Sequence, residues 1–240
     1  MKKILIIIPT YNEKNNIINL TNEIKNVLNK SNLNYKILFI DDNSKDGTIE
    51  IINKLKLEDQ KINLIVREKK MGIGSAYLEG FRWGLKEIKP DVFIQLDADF
   101  SHPPKDIPRL IQAIKEGNNV VVGSRYISGG KTESWTLFRN IVSKTANFMS
   151  RKILKIEIKD TTSGFRALDS KAVEIAIKFN FRSKGYSYQV ESLYLYNKFN
   201  LECDEVPFTF KNRVVGGSKL SILEIFQFIY TICKLRLSRS

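Results

Sequence analysis

Residues 92–103 read Val-Phe-Ile-Gln-Leu-Asp-Ala-Asp-Phe-Ser-His-Pro, and the carboxylates of Asp97 and Asp99 are the first groups placed to do chemistry. The five residues from Val92 are mostly apolar, with β-branched and aromatic members, so they predict a short buried strand. Pro103-Pro104 then turns the chain. Two acids at the carboxyl end of a strand, in an α/β chain, stand where such sheets bind ligands. Clustered carboxylates are also what a hard divalent cation and its phosphate ligand require. An isolated Asp-x-Asp is more often a solvated acidic turn. The rest of the chain lifts this one above that reading.

The elements that must position these acids follow a simple alternation. Residues 4–8 form a continuous apolar run, as expected of a strand buried on both faces. Pro9-Thr10-Tyr11-Asn12-Glu13 breaks it, and Ile17, Leu20, Ile24, Val27 and Leu28 then recur at helical spacing. A second strand over 35–40 runs into Asp41-Asp42-Asn43-Ser44-Lys45-Asp46-Gly47-Thr48, and Ile49, Ile52 and Leu55 mark another helix. A third strand covers 62–66, followed by Gly72-Ile73-Gly74 and a helix through Leu85. The Asp97 strand is fourth. Ile107, Leu110, Ile111 and Ile114 mark the next helix, and a fifth strand over 120–122 closes at Gly123-Ser124-Arg125. Alternation of this kind predicts a mostly parallel sheet with right-handed crossovers.

Glu13, Asp42, Gly72, Asp97, Asp99 and Arg125 all fall just after strands, so a doubly wound sheet brings them to one edge. Spacing alone thus points to a phosphate-bearing ligand with a metal, and no further. Gly72-x-Gly74 matches a dinucleotide fingerprint only loosely, and reads better as a turn that lets backbone approach a phosphate.

Beyond residue 126 the pattern is less regular. Residues 135–154 predict a helix bearing Trp135, Phe138, Phe148 and Met149. Residues 187–199 predict another that carries Glu191 toward the active edge, and 201–210 a strand of imperfect alternation. Residues 222–237 are strongly apolar, broken by Glu224 and Gln227, and the segment ends in basic residues, Lys234, Arg236 and Arg239. Such a helix suits a bilayer interface with its basic end at anionic headgroups, or equally a core position on the sheet.

The 240 residues suffice for one large α/β domain with its own core. Values of 42% hydrophobic and 27% charged residues exclude wholesale disorder. Cys203 and Cys233 form no metal-ligand pattern and read as buried free thiols of a reducing compartment. The formal charge of +13 admits nucleic acid, an anionic membrane or phosphorylated ligands. Lysines are dispersed rather than clustered and no nucleic-acid motif occurs, so nucleic acid is not expected as a partner. The N-terminal apolar run is too short for a signal peptide, and nothing reaches the roughly 18 apolar residues of a spanning helix.

Taken together, Ile8-Pro9-Thr10-Tyr11-Asn12-Glu13, Asp41-Asp42-x-Ser44-x-Asp46-Gly47-Thr48, Asp97-Ala98-Asp99 and Gly123-Ser124-Arg125-Tyr126 resemble a family 2 glycosyltransferase of GT-A fold. Asp99-Phe100-Ser101-His102-Pro103-Pro104 and Asp160-x-x-Ser163-Gly164-Phe165-Arg166 narrow the resemblance to the dolichyl-phosphate (polyprenyl-phosphate) mannose synthase group. It runs from about Lys3 to the Lys219 region.

The resemblance implies an α/β, Rossmann-like catalytic domain over 1–217, with a mostly parallel central sheet flanked by helices. Its parts would be a nucleotide-sugar-binding part (1–126) and an acceptor-side part (127–217), with an amphipathic helix over 218–240. Pro9, Tyr11, Glu13, Ile40 and Asp42 would hold base and ribose. Asp97, Ala98 and Asp99 would face ribose and diphosphate, with Asp99 and Ser101 on Mg²⁺ or Mn²⁺; some members carry Gln where Ser101 stands. Arg125, Arg213 and Lys219 would contact the donor diphosphate, and Arg139 and Lys219 the acceptor phosphate. Asp99, Arg125, Arg213 and Lys219 would thus be catalytic.

The implied reaction is inverting transfer of mannose from GDP-mannose to a dolichyl or polyprenyl phosphate. A phosphate monoester is already ionised near neutral pH, so it attacks without a general base, and His102 is read as structural or as a support for ligand-contacting groups, not as the base. Many relatives add transmembrane helices after residue 240, so peripheral contact with the cytoplasmic face of a membrane, or a small membrane subunit, is expected here. The same fold with a UDP-sugar donor, or a non-catalytic basic membrane-binding protein, are the alternatives.

Overall fold

The computed structural model describes residues 2–183, 185, 187–211 and 222–237. A seven-stranded sheet runs through the molecule in the order β3-β2-β1-β4-β7-β5-β8. Its strands are β1 (Lys3–Thr10), β2 (Asn34–Asp41), β3 (Ile62–Val66), β4 (Val92–Gln95), β5 (Val120–Ser124), β7 (Arg166–Asp169) and β8 (Cys203–Pro207). A separate two-stranded ribbon pairs β6 (Lys131–Thr132) with β9 (Thr209–Phe210).

The alternation predicted for the first five strands is present, each within a residue or two of its expected bounds. β1, β2, β3 and β4 pair in parallel. β7 is antiparallel to both β4 and β5 and lies between them. Two reversals restore the direction, so β5 runs parallel to β4 and its carboxyl end opens on the same sheet edge as Asp97. β8 then joins β5 in parallel. The parts expected at 1–126 and 127–217 therefore share one sheet.

Continuous apolar strands follow from a sheet covered on both sides. In β1, Ile4, Ile6 and Ile8 pack with Ile17, Leu20 and Ile24 of α1 (Lys14–Lys30) and with Leu110 and Ile114 of α4 (Ile107–Lys115). Leu5 and Ile7 face the other layer. Tyr77 and Phe81 of α3 (Ile73–Trp83), Val173 of α6 (Ser170–Lys178) and Tyr188 of α7 (Ser187–Lys198) belong to it. α2 (Thr48–Glu58) connects β2 to β3, and a π-helical turn over Gly84–Ile88 extends α3.

The helix expected from Trp135 begins as α5 (Leu137–Leu154), because Thr136 is extended and its hydroxyl accepts the Arg139 N–H as an N-cap. The expected strand over 201–210 is split into β8 and β9, which belong to different sheets. α8 (Ile222–Leu237) packs on α5 and α7 and buries Ile232 and Leu235. Phe226, Tyr230, Cys233 and Leu237 lie on its exposed side, so Cys233 is not the buried thiol expected from sequence, and Cys203 is only half-buried. No helix among the described residues is long and apolar enough to cross a membrane.

Candidate active site

The two loops after β1 and β2 are joined by side chains of the Asp-Asp-x-Ser-x-Asp-Gly-Thr run. Fully buried Asp41 accepts from the Thr10 hydroxyl (2.7 Å) and from the Ser44 N–H (2.7 Å) and hydroxyl (2.7 Å). Ser44 Oγ accepts the Asn12 N–H at 2.8 Å, and Thr48 Oγ1 the Glu13 N–H at 3.0 Å. Asp46 accepts from the Lys14 N–H (3.1 Å) and the Thr48 hydroxyl (2.6 Å). Partial burial raises the Asp46 pKa, but these bonds to Thr48 and Lys14 outweigh it and hold the carboxyl below its ordinary value. Most of the motif is therefore architecture: it fixes the segment carrying Tyr11 and Glu13 against the one carrying Asp42.

Asp42 is the acid of this run turned toward another partner. It forms a buried ion pair with Arg67, which follows β3, and its Oδ2 accepts the Met71 N–H at 3.3 Å. Arg67 also donates to the Ser75 hydroxyl at 2.7 Å and to the Gly72 carbonyl at 3.3 Å. Arg67 was not singled out from sequence; only a contact across three loops reveals it. In the same region Gly72 turns the chain at φ 92° immediately before α3, and a Cβ on Gly74 would sit 2.6 Å from the Tyr188 ring, so that glycine permits α3 to pack on α7. Tyr11 is 44% exposed with Lys70 Nζ 4.5 Å from its ring centroid, so its face is at the surface. Glu13 accepts from the Asn16 amide at 2.7 Å. Pro9 is half-buried, whereas the Ile40 and Ala98 side chains are buried, leaving chiefly their backbone for a ligand.

At the centre, Asp97 Oδ1 accepts the Tyr77 hydroxyl at 3.2 Å, and the Asp97 N–H donates to His102 Nδ1 at 3.1 Å. Burial first, and then the Asp97 charge, keep the Tyr77 phenol protonated well above its usual range. Burial also lowers the His102 pKa, against the opposing pull of Asp97 and Asp99. With Nδ1 accepting, the neutral ring carries its proton on Nε2, 3.8 Å from Asp97 Oδ2. His102 stacks on Phe165 at 5.2 Å and meets Phe208 and Phe210 edge-on. It is a structural histidine, as expected. Asp99 is buried and its Oδ1 accepts the Ser101 N–H at 3.0 Å, with Phe100 between them at φ 62°.

No group of three His, Cys, Asp or Glu side chains converges on a metal position among the described residues. Two carboxylates at one strand end nevertheless fit a hexacoordinate cation that takes its other oxygens from a diphosphate and water.

Arg125 is bound rather than open. Its Nε and Nη2 donate to both oxygens of buried Asp160 at 2.7 and 2.6 Å, and Nη2 also donates to the Thr162 hydroxyl. Burial works against the guanidinium charge, and Asp160 more than offsets it. Asp160 begins the 160–166 segment, which passes beside Asp97: a Cβ on Gly164 would lie 3.8 Å from Asp97 Oδ1. Buried Arg166 holds that segment to α7 through the carbonyls of Ser163, Thr161 and Gln189 and the Ser192 hydroxyl. Arg139 lies over Trp135 at 4.2 Å in the first turn of α5. Its neighbours Leu137 and Phe138 are exposed. Glu191 does not reach the active edge. It is buried and accepts the N–H groups of Arg182 and Ser183. Arg213 and Lys219 lie outside the described residues.

A chain of ring contacts from His102 through Phe210 to Trp135 thus links the Asp97 loop to Arg125 and Arg139. Fold and site together define an α/β protein with an acidic, ligand-binding sheet edge of the GT-A kind. The glycosyl transferase family 2 pattern matches residues 5–175, and the chain belongs to that family of glycosyltransferases. It is 42% identical to a dolichol-phosphate mannosyltransferase of Pyrococcus furiosus over 97% of its own length and 63% of that protein's. It is 35% identical to a polyprenol monophosphomannose synthase of Mycolicibacterium smegmatis, covering 97% of this chain and 86% of that one. An undecaprenyl-phosphate mannosyltransferase of Micrococcus luteus is 35% identical over 91% and 88% of the two lengths. Among solved structures, glucosyl-3-phosphoglycerate synthase of Mycobacterium tuberculosis, bound to Mn²⁺, UDP and phosphoglyceric acid, superposes with a TM-score of 0.71. It covers 98% of this chain and 78% of that one at 16% identity, a likeness of fold.

Proposed function

We propose that the protein transfers mannose from GDP-mannose to the phosphate of a dolichyl or polyprenyl phosphate, with inversion at the anomeric carbon. The observation that carries this is the continuity of the site. Acids suited to a cation and diphosphate stand at one end, Arg139 next to exposed Leu137 and Phe138 at the other, and a run of aromatic contacts joins them. An anionic head on an apolar tail matches the second end, and the names of the three relatives give the same acceptor class and sugar.

In this reading an acceptor phosphate oxygen attacks the anomeric carbon as its bond to the diphosphate oxygen breaks. An α-linked donor becomes a β-mannosyl phosphate and GDP departs. No proton has to be removed from the nucleophile, which agrees with His102 being neutral, buried and bonded to the Asp97 backbone. A bound Mg²⁺ or Mn²⁺, held by Asp99 with Asp97 and Ser101 beside it, would neutralise charge on the leaving diphosphate. Tyr11, Glu13 and Pro9 line the base side with the Ile40 backbone, the Asp42–Arg67 pair borders it, and the Ala98 backbone faces ribose and diphosphate with Asp97. Arg125 braces the acceptor side through Asp160. Arg139, Arg213 and Lys219 complete the phosphate contacts. α8 rests on the cytoplasmic face of a membrane, directly or through a small membrane subunit.

The test is transfer of labelled mannose from GDP-mannose into a butanol-extractable lipid with polyprenyl phosphate, with Mg²⁺, with Mn²⁺ and with EDTA. UDP-glucose and UDP-N-acetylglucosamine run in parallel. Metal-dependent transfer from GDP-mannose, lost in Asp99→Ala, is the expected result. Transfer only from a UDP-sugar would overturn the donor, and no transfer by folded protein would overturn the reading.

A further inference from the structure

Phe100 stands between Asp99 and Ser101, and its backbone suits its side chain badly. Its φ of 62° lies in the left-handed region, where a Cβ crowds the following carbonyl oxygen. The loops after β1 and β2 also use this conformation, but there the residues are Asn12 at 57° and Asn43 at 61°, a type that tolerates it. Lys89 and Lys155 cap helical segments, where the left-handed form is usual. Among the described non-glycine residues of positive φ, Phe100 alone is bulky and apolar.

A residue held this way persists only where its surroundings over-determine it, and such residues gather at ligand clamps. Both holds are visible here. The half-buried Phe100 ring packs against the core layer that contains Leu96, Ile107 and Phe208. Two bonds to side chains close the turn: the Asp97 N–H donates to His102 Nδ1 at 3.1 Å, and the Ser101 N–H to Asp99 Oδ1 at 3.0 Å. The second bond shows what the strained torsion accomplishes. Only Phe100 lies between its donor and its acceptor, so rotating Phe100 to negative φ swings the Ser101 N–H away from its present place on the carboxylate. The orientation of the buried Asp99 carboxylate thus depends on a backbone that the ring keeps in place.

Resting on the reading that Asp99 holds a divalent cation at the donor diphosphate, and deepening it, we propose that Phe100 is a positioning residue for that cation. Its docked ring holds the left-handed backbone, and that backbone aims the Asp99 carboxylate. Phe100 itself touches neither cation nor substrate. Small hard cations demand near-ideal ligand geometry, so a carboxylate aimed in advance binds them more tightly than one that must be ordered on binding.

Mn²⁺ binding to the full chain in the presence of GDP, beyond that held by GDP alone, is read from the loss of the free-ion electron paramagnetic resonance signal and needs no turnover. Phe100→Ala keeps the Cβ and loses the ring, so it is expected to weaken Mn²⁺ binding about 10-fold, the factor set by the disfavoured left-handed form. Phe100→Gly removes still more of the side chain, yet glycine accepts positive φ freely. It is therefore expected to bind Mn²⁺ more tightly than Phe100→Ala and to melt at a higher temperature. Phe100→Asn should also exceed Phe100→Ala in Mn²⁺ affinity. GDP binding in EDTA should equal the parent's in every variant, because Phe100 acts through the metal ligand. A ring that serves packing alone predicts the opposite order, with glycine no better than alanine. That order, parental Mn²⁺ affinity in Phe100→Ala, or a parallel loss of GDP binding in EDTA would each overturn the proposal while leaving a cation at Asp99 in place. A parent that binds no Mn²⁺, or binds it no better than Asp99→Ala does, would overturn the cation reading and the role of Phe100 together.

Discussion

His102 shows how one buried side chain organises two others without taking part in bond making. Its Nδ1 receives the Asp97 N–H and its ring closes on Phe165, Phe208 and Phe210, so the acid at the strand end and the run of aromatic contacts share one support. This arrangement requires the neutral ring. Burial depresses its pKa from 6.5, whereas in the unfolded chain it titrates normally. Below about pH 6.5 the unfolded state therefore binds a proton that the folded state refuses, and stability falls as pH drops toward the folded pKa. Between pH 7.5 and 5.5 the melting temperature is expected to decline, and His102→Gln, whose side chain still offers an acceptor to Asp97, should decline less. Parallel curves for the two proteins would show that His102 does not carry the acid limb. At this same scale the sequence was least informative. Asp42 and Arg125 are visible as charged residues after strands, but their partners Arg67 and Asp160 lie 25 and 35 residues away. Nothing local marks those pairs, because each depends on which loops the sheet brings side by side.

Among the elements, those with a strong period were legible and those without were not. β1 to β5 and the helices between them announce themselves through apolar runs and helical spacing, so the edge that gathers Glu13, Asp42, Asp97, Asp99 and Arg125 follows from topology. β7 does not. It is four residues long, carries a fully buried arginine, and is a strand only because β4 and β5 accept it from both sides. Gly74 illustrates the same limit: its neighbour is Tyr188, 114 positions further along the chain, which its spacing from Gly72 does not show. The seam between α3 and α7 supports Tyr77, the donor to Asp97. Gly74→Ala would set a methyl group 2.6 Å from the Tyr188 ring, in a seam where Tyr188 also stacks on Tyr77 with centroids 6.5 Å apart. The expected cost is about 1–3 kcal/mol of stability, read as a lower denaturant midpoint at unchanged slope. A midpoint equal to the parent's would mean that the seam relaxes freely.

At the scale of the whole molecule, the formal charge of +13 and the outer side of α8 call for one explanation. Lysine and arginine are dispersed over a surface that also exposes Phe226, Tyr230 and Leu237 on α8, spaced at i, i+4 and i+11 so that they share one stripe. Lys234 and Arg236 flank that stripe, while Ile232 and Leu235 on the opposite side anchor the helix in the core. An anionic bilayer complements both features at once, since interfacial helices bind by apolar burial together with attraction to charged headgroups. The two contributions separate experimentally because salt screens only the second, over about 10 Å at 0.1 M. Binding to vesicles containing phosphatidylserine is expected to weaken, without vanishing, as salt rises. Replacing Phe226, Tyr230 and Leu237 together by serine should abolish co-sedimentation even at low salt. These side chains are exposed, so the fold and binding of the sugar nucleotide should persist. If the triple variant sediments with vesicles as the parent does, α8 is not the docking element. If salt alone removes all binding by the parent, dispersed charge suffices and the apolar stripe contributes nothing.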